Sequence, residues 1–255
     1  MMIRPASPPQ IVRVAGIDGC SYGWVALVFD ATPNSTPGLC TLSFIAGQCH
    51  PTLRGALNWL NNQQVVLTAV DMPIGLPSAQ RASMSRQCDT DARKYLNQYI
   101  KGRGSSVFPC PTVKALGQVS PKMSKQTSAI LPKVKQVNTS AIVKSVTVIE
   151  AHPEVSFVHL AIACGQNPQA ALGHPKRKVS GRNQRAALLQ VVAQNQVLST
   201  VAALRYPIRS RVKVDDVLDA WVSAWTAYRA VIGCAGVYGQ AGPRPGFTQR
   251  CIIWA

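Results

Sequence analysis

The acidic residues of this chain are few, and several fall where strands are expected to end. Asp18 lies in the first apolar run, Asp71 ends a second and Glu150 ends a third. Carboxylates that converge at one edge of a sheet repel one another and shift one another's pKa values unless a cation neutralises them. Hard oxygen ligands of this kind suit Mg²⁺ or Mn²⁺. The pattern therefore predicts a divalent-metal site at these strand ends.

Two further acids, Asp216 and Asp219, lie three residues apart in a segment that has the apolar spacing of a helix. Residues at this spacing are neighbours on a helix surface, so both are candidates for the same site. Periodicity alone leaves open whether Asp215 or Asp216 is the partner of Asp219. Two divalent ions about 3.5–4 Å apart activate a water and stabilise the leaving oxygen in phosphodiester hydrolysis, which is the chemistry that such a site predicts.

The net charge indicates the kind of partner. The chain has 27 Lys and Arg against 10 Asp and Glu, a net charge of +17. Such a balance favours polyanions, here nucleic acid, either RNA or DNA. Solubility alone and an acidic partner protein are the ordinary alternatives. Two basic loops are predicted to contact phosphates, with the candidates Lys101, Arg103, Lys176 and Arg177.

A third basic group lies in the polar segment SRQCDTDARKYL, which is compatible with a helix. Arg86 and Arg93 flank Asp89 there. The two arginines either bind substrate phosphates or form ion pairs along the helix, and an intrahelical pair with Asp89 is the favoured interpretation.

Length and composition predict one globular domain. The chain has 255 residues, of which 47% are hydrophobic, enough for a sizeable core. We expect a disordered tail over residues 1–10, a single domain over 11–255 and a basic insertion at about 117–144. No apolar run approaches the roughly 20 residues of a membrane span, and the start of the sequence lacks the apolar core of a signal peptide. A cytoplasmic protein without a membrane partner is therefore expected.

Cysteine spacing argues against two other classes. The eight cysteines include no C-x-x-C pair, so neither a disulfide framework nor a structural zinc site is expected.

The order of apolar patterns predicts a mixed α/β sheet covered by helices. Strands are expected first as a hairpin, then as a third antiparallel strand, and later as two buried strands that alternate with helices. The predicted strands lie at residues 11–17, 24–29, 39–46, 65–71 and 143–150. The predicted helices lie at 52–62, 83–100 and 214–233, with one more after Pro153 and one after the basic loop near residue 176.

Six short blocks of the sequence, in order, resemble the motifs of domain-of-unknown-function family 429, a family of predicted ribonuclease H-like nucleases. The blocks are GIDGCSYGW, VDMPIGLP, SRQCDTDARKYL, SSVFPCPT, IEAHPEVSF and DDVLDAWVSAWTA, and the resemblance covers roughly residues 11–232. The resemblance implies a ribonuclease H-like fold, with a five-stranded mixed sheet in the order 3-2-1-4-5 whose first three strands are antiparallel.

The resemblance also implies roles for individual residues. It carries the metal-binding positions of the wider superfamily onto Asp18, Asp71 and Asp219, with Asp216 as their partner. Glu150 opens the family's E-x-H-P-E motif and is expected near the site. His152 in that motif is either a proton shuttle or a structural hydrogen-bonding residue, and the two interpretations weigh equally.

The function predicted from the sequence is a nuclease that depends on Mg²⁺ or Mn²⁺ and hydrolyses phosphodiester bonds. Its catalytic residues are predicted to be Asp18, Asp71, Glu150 and Asp219. The main alternative is a nucleic-acid-binding protein that uses the same fold without catalysis. An ATP-binding protein of the actin and sugar-kinase type ranks last. Proteins of that type have two copies of the fold and glycine-rich phosphate-binding loops, whereas this chain has one copy and only two weak candidates for such a loop, GIDG and GRGSS.

Overall fold

A computed structural model of the protein describes most of the chain. The described residues are 11–77, 86–108, 110–112, 125–139, 147–205, 211–239 and 251–255. The predicted tail over 1–10 lies outside them, as do residues 117–124 and 140–144 of the predicted basic insertion.

The core of the structure is one mixed sheet in the order β3-β2-β1-β4-β5-β7-β6. The first three strands pair antiparallel, and β4 and β5 run parallel to β1. This is the predicted 3-2-1-4-5 arrangement, so the ribonuclease H-like fold class is confirmed. The strands are β1 Val12–Gly19, β2 Trp24–Pro33, β3 Cys40–His50, β4 Leu67–Val70, β5 Val148–Ala151, β6 Val237–Gly239 and β7 Ile252–Trp254.

The predicted number of strands was wrong. Seven strands, not five, form the sheet of the described residues, because β7 pairs parallel with β5 and β6 pairs antiparallel with β7. Each of the added strands has three residues, too few for an apolar alternation to stand out in the sequence.

Helices cover both faces of the sheet, which is why residues that alternate along β2 are all buried. Val25 and Leu27 belong to one buried cluster together with α2, α4, α6, α7 and α8, whereas Trp24 and Ala26 belong to a second with α1 and α3. The helices are α1 Leu53–Asn62, α2 Gln87–Tyr99, α3 Lys125–Thr139, α4 Pro153–Ala163, α5 Pro168–Leu172, α6 Val179–Ala193, α7 Val197–Arg205 and α8 Val214–Val231, with a short 3₁₀ helix at Arg103–Ser106.

Among the described residues, no helix by itself is long and apolar enough to span a membrane. Only α6 and α7 taken together reach that length and hydropathy, and they are bent by 115° at their junction. All eight cysteines are free thiols.

The described part of the predicted basic insertion is helix α3, which packs onto the sheet. Val134 and Val137 of α3 are buried against the second cluster. The side-chain oxygen of Gln136 accepts hydrogen bonds from the Trp24 indole at 3.1 Å and from the Leu53 backbone N–H at 2.8 Å. Helix α3 thus joins α1 to β2 as part of the domain's second helical layer.

Helix α8 lies directly against β1. Trp221 and Trp225 of α8 are fully buried in the core, as their apolar stripe predicts. At Gly16, in the middle of β1, a Cβ atom would be 1.9 Å from the carbonyl oxygen of Ala220 and 2.5 Å from the backbone nitrogen of Ala224. Only glycine permits this approach, and it brings the residue before Ala220, Asp219, toward the carboxyl end of β1.

We therefore expect Gly16→Ala to lower the free energy of unfolding by about 3 kcal/mol or more, since the new methyl group meets backbone atoms that cannot rotate away. Denaturant unfolding checks this value. The matched control is Gly55→Ala in α1, where the nearest atom to a new Cβ is the Thr52 hydroxyl oxygen at 3.3 Å. The control should change stability by less than about 1 kcal/mol, and equal effects of the two variants would contradict the close packing at Gly16.

Candidate metal centre

Three carboxylates meet where β1, β4 and α8 come together. Asp18 lies near the end of β1 and Asp71 directly follows β4, whose last residue, Val70, pairs with Ile17. The Asp71 N–H donates to the Ile17 carbonyl at 3.0 Å, which holds the two aspartates side by side. Asp219 reaches them from α8, and one carboxylate oxygen from each of the three lies within 4.8 Å of the others. The structure thus brings together three of the predicted metal ligands.

The environment of these carboxylates disfavours their charged form. Burial, followed by the charges of Asp71, Asp219 and Asp216, raises the pKa of Asp18 well above its ordinary value. Burial also raises the pKa of Asp219 and that of Asp71, the latter to about 7. A group of acids that resists ionisation in this way is stabilised by a nearby cation.

Few protein donors satisfy the oxygens of the group. Asp18 Oδ1 accepts a hydrogen bond of 2.6 Å from the Gly19 N–H. Asp219 Oδ2 accepts one of 2.6 Å from the Lys176 ammonium. Asp219 Oδ1 is buried and has no partner among the described residues. A buried carboxylate oxygen without a donor, beside two more carboxylates, fits a hard divalent cation such as Mg²⁺ or Mn²⁺.

Asp216 adjoins the group without joining it. Its Oδ2 accepts a hydrogen bond of 2.8 Å from the Lys213 N–H at the start of α8, and burial raises its pKa to about 6. It is not one of the three residues whose oxygens lie within 4.8 Å of one another. The three carboxylates line a cavity, and Asp215 and Asp216 line it too. The charge of Asp216 raises the pKa of Asp18.

Glu150 lies in the wall of this cavity, but arginine and backbone donors occupy its carboxylate. Arg86, which is 1% exposed, donates to both of its oxygens at 2.7 and 2.6 Å. The Ile74 N–H donates to Oε2 at 2.7 Å. Arg86 also forms the intrahelical pair with Asp89 that the sequence favoured, at 2.5 Å. Glu150 therefore anchors the segment after Asp71 and stands apart from the three carboxylates.

The predicted phosphate-binding arginines differ in whether their guanidinium groups are already hydrogen-bonded within the protein. Arg93 donates to the Val107 carbonyl at 2.9 Å. Arg103 donates to the Leu172 carbonyl at 2.6 Å and pairs with Glu154 at 3.3 Å. Arg86 and Arg103 line the cavity with their donors already engaged, whereas Arg177 lines it and is exposed.

Sequence reasoning missed Glu154, which is buried beside the site. Arg185 donates to both of its oxygens, at 2.7 and 2.9 Å. The negative charge of Glu154 acts to raise the pKa values of Asp71 and Asp219. The signal was the second glutamate of E-x-H-P-E. The nearby His152 is half-buried, and loss of contact with water lowers its pKa to about 4, so its imidazole is neutral at pH 7.

Basic side chains line the same cavity as the carboxylates. The cavity has a volume of about 950 Å³, and the cationic residues around it are Arg86, Lys101, Arg103, Lys133, Lys176, Arg177 and Lys213. Of these, Arg86, Arg103 and Lys176 form ion pairs, and the other four have none within the described part of the chain. Lys133 comes from α3, and no sequence pattern distinguishes it from the other lysines of that segment.

The first prediction from the metal centre concerns the charge of Asp71 in the metal-free protein. Because its folded pKa is raised, the folded state holds a proton there that the unfolded state releases, and stability is lost as pH rises from about 4 toward 7. Asp71→Asn removes this loss. We expect the variant, in a chelator, to melt about 3 °C or more above the wild type at pH 8, with a smaller difference at pH 5.

Melting curves across this pH range, with and without Mn²⁺, test it. Mn²⁺ should stabilise the wild type more than Asp71→Asn. A pH-independent difference between the two proteins would show that Asp71 carries no unfavourable charge.

A second prediction separates Glu150 from the carboxylate group. Glu150→Gln leaves Arg86 with a weaker buried partner, so the free energy of unfolding should fall by about 3 kcal/mol. The control is Asp91→Asn on α2, where only a hydrogen bond from Gln87 is weakened. Denaturant unfolding measures both. If Glu150→Gln kept full stability, the carboxylate would not be needed for the wall of the cavity.

Comparison with known proteins finds similarity to a solved structure and to a sequence family. The solved structure entitled "Thermus thermophilus RuvC structure" is similar over 88% of this chain and 98% of that chain, with a TM-score of 0.39 and 13% sequence identity. No curated protein matches the sequence. The family described as "Protein of unknown function (DUF429)" matches residues 16–242. The chain therefore belongs to the DUF429 family.

Proposed function

We propose that this protein is a divalent-metal-dependent nuclease that hydrolyses phosphodiester bonds of nucleic acid. The observation that carries the proposal is the group of Asp18, Asp71 and Asp219, whose oxygens lie within 4.8 Å of one another. These carboxylates line one cavity together with three lysines and one arginine that have no acidic partner within the described residues. A cation site and a polyanion site thus share the same space.

The three aspartates would hold the metal ion. When bound, the ion offsets their mutual repulsion, polarises a phosphodiester and lowers the pKa of a water, which are the contributions that hydrolysis needs. The exposed Lys101, Arg177 and Lys213 would hold the phosphates of the substrate around it.

The distribution of charge supports nucleic acid as the partner. All ten acidic residues are among those described, and none of them is exposed. The fully exposed charges are therefore those of lysine and arginine. A polyanion approaching this surface therefore meets mainly attraction, because the two acids that do not line the cavity, Asp30 and Asp91, are only partly exposed.

The decisive variant is Asp18→Asn, which keeps the shape of the side chain and removes one charged ligand. We expect cleavage to fall by more than about 100-fold, because changes to groups that only support a metal ligand already cost 10–100-fold. Binding of nucleic acid should persist. The assay compares single- and double-stranded RNA and DNA, a hybrid and a four-way junction in Mn²⁺ or Mg²⁺.

Asp30→Asn is the matched control. Asp30 forms an ion pair with Arg13 at 2.7 Å. Arg13 lies near the start of β1, at the opposite end of the strand from Asp18. A half-buried pair of this kind contributes little to the free energy of unfolding. Equal cleavage by the wild type and Asp18→Asn would show that the aspartates take no part in the reaction. Salt-sensitive binding without cleavage by any variant would instead favour the non-catalytic scaffold.

A further inference from the structure

Lys176 contacts the carboxylate group of the candidate metal centre. Its ammonium lies 2.6 Å from Asp219 Oδ2. The charges of Asp219, Asp71, Glu154 and Asp18 all act on it and together raise its pKa, although burial alone would lower it. The lysine thus neutralises the same carboxylate group in which the metal site was identified.

The backbone around Lys176 is held in place, whereas its side chain reaches solvent. The Lys178 N–H donates to the Pro175 carbonyl at 3.0 Å, and Arg185 donates to the His174 carbonyl at 3.3 Å. The Lys176 side chain is nevertheless 34% exposed. Because four rotatable bonds separate the ammonium from the backbone, it can leave Asp219 by rotation of the side chain alone.

We propose that the Lys176 ammonium is a resident counter-ion that a divalent cation displaces from Asp219. The inference rests on the metal site of the proposed function and concerns how that site is filled. In the metal-free protein the lysine stabilises the buried carboxylates. When a divalent ion binds, it competes with the lysine for Asp219, so the affinity of the site for metal is set in part by this ion pair. The displaced ammonium remains at the cleft, available to a phosphate.

Calorimetric titration of the full chain with Mn²⁺, in the absence of nucleic acid, tests this exchange. Lys176→Gln removes the competitor, and we expect the variant to bind Mn²⁺ at least about fivefold more tightly than the wild type, the lower end of ordinary coupling between sites. Lys178→Gln, a change at an exposed lysine that does not line the cavity, should bind as the wild type does.

The outcomes distinguish this inference from the proposed function. Equal or weaker Mn²⁺ binding by Lys176→Gln, with binding by the wild type intact, would overturn the exchange and leave the metal site standing. Absence of Mn²⁺ binding by every protein would overturn both.

A second measurement needs only the wild type and so does not depend on the variant's folding. Acylation of lysine amines by an acetyl succinimidyl ester, read by mass spectrometry, reports how accessible each ammonium is. Addition of Mn²⁺ should increase the labelling of Lys176 several-fold relative to that of Lys178. Unchanged or decreased labelling would show that the ammonium stays on Asp219, against the proposal.

Discussion

The contact between the backbones of β1 and α8 at Gly16 is the constraint on which the site depends. Helix α8 carries Asp219 one residue before Ala220, whose carbonyl occupies the space that a side chain at position 16 would need. With a larger residue there, the helix would have to stand further from the sheet. Asp219 would then move away from Asp18 and Asp71. A glycine in the core therefore determines the geometry of a group of charged residues at the edge of the sheet.

The buried acids of the protein divide into two kinds according to their partners. Glu150 and Glu154 each face an arginine that donates to both oxygens, which satisfies their charge within the fold. Asp18 and Asp71 have no such partner in the described structure. The first kind gives the cleft rigid walls, and the second leaves unsatisfied charge between them. Folding thus tolerates an unfavourable cluster because the surrounding pairs hold it in position.

The sequence predicted the parts of the fold and site that depend on local pattern. Buried strands ending in Asp18 and Asp71, and an acid on the amphipathic last helix, were visible because apolar periodicity marks these elements. Contacts between distant segments were not visible. The pairing of Arg86 with Glu150 joins residues 64 positions apart and that of Lys176 with Asp219 residues 43 apart, and no local pattern encodes them. A charged residue such as Arg86 is expected at the surface from its sequence context. It is buried because Glu150, which belongs to another element, accepts its hydrogen bonds.

Because no acid is fully exposed, attraction of a polyanion to the surface and discrimination among polyanions must depend on different parts of the protein. Long-range attraction to a surface whose exposed charges are lysine and arginine is nearly independent of base sequence and falls as salt rises. Such a surface holds many polyanions loosely and lets them move along it before any bond is positioned for reaction. Discrimination among them must therefore arise inside the cavity of about 950 Å³, where the shape and stiffness of a strand decide whether a phosphate reaches the aspartates.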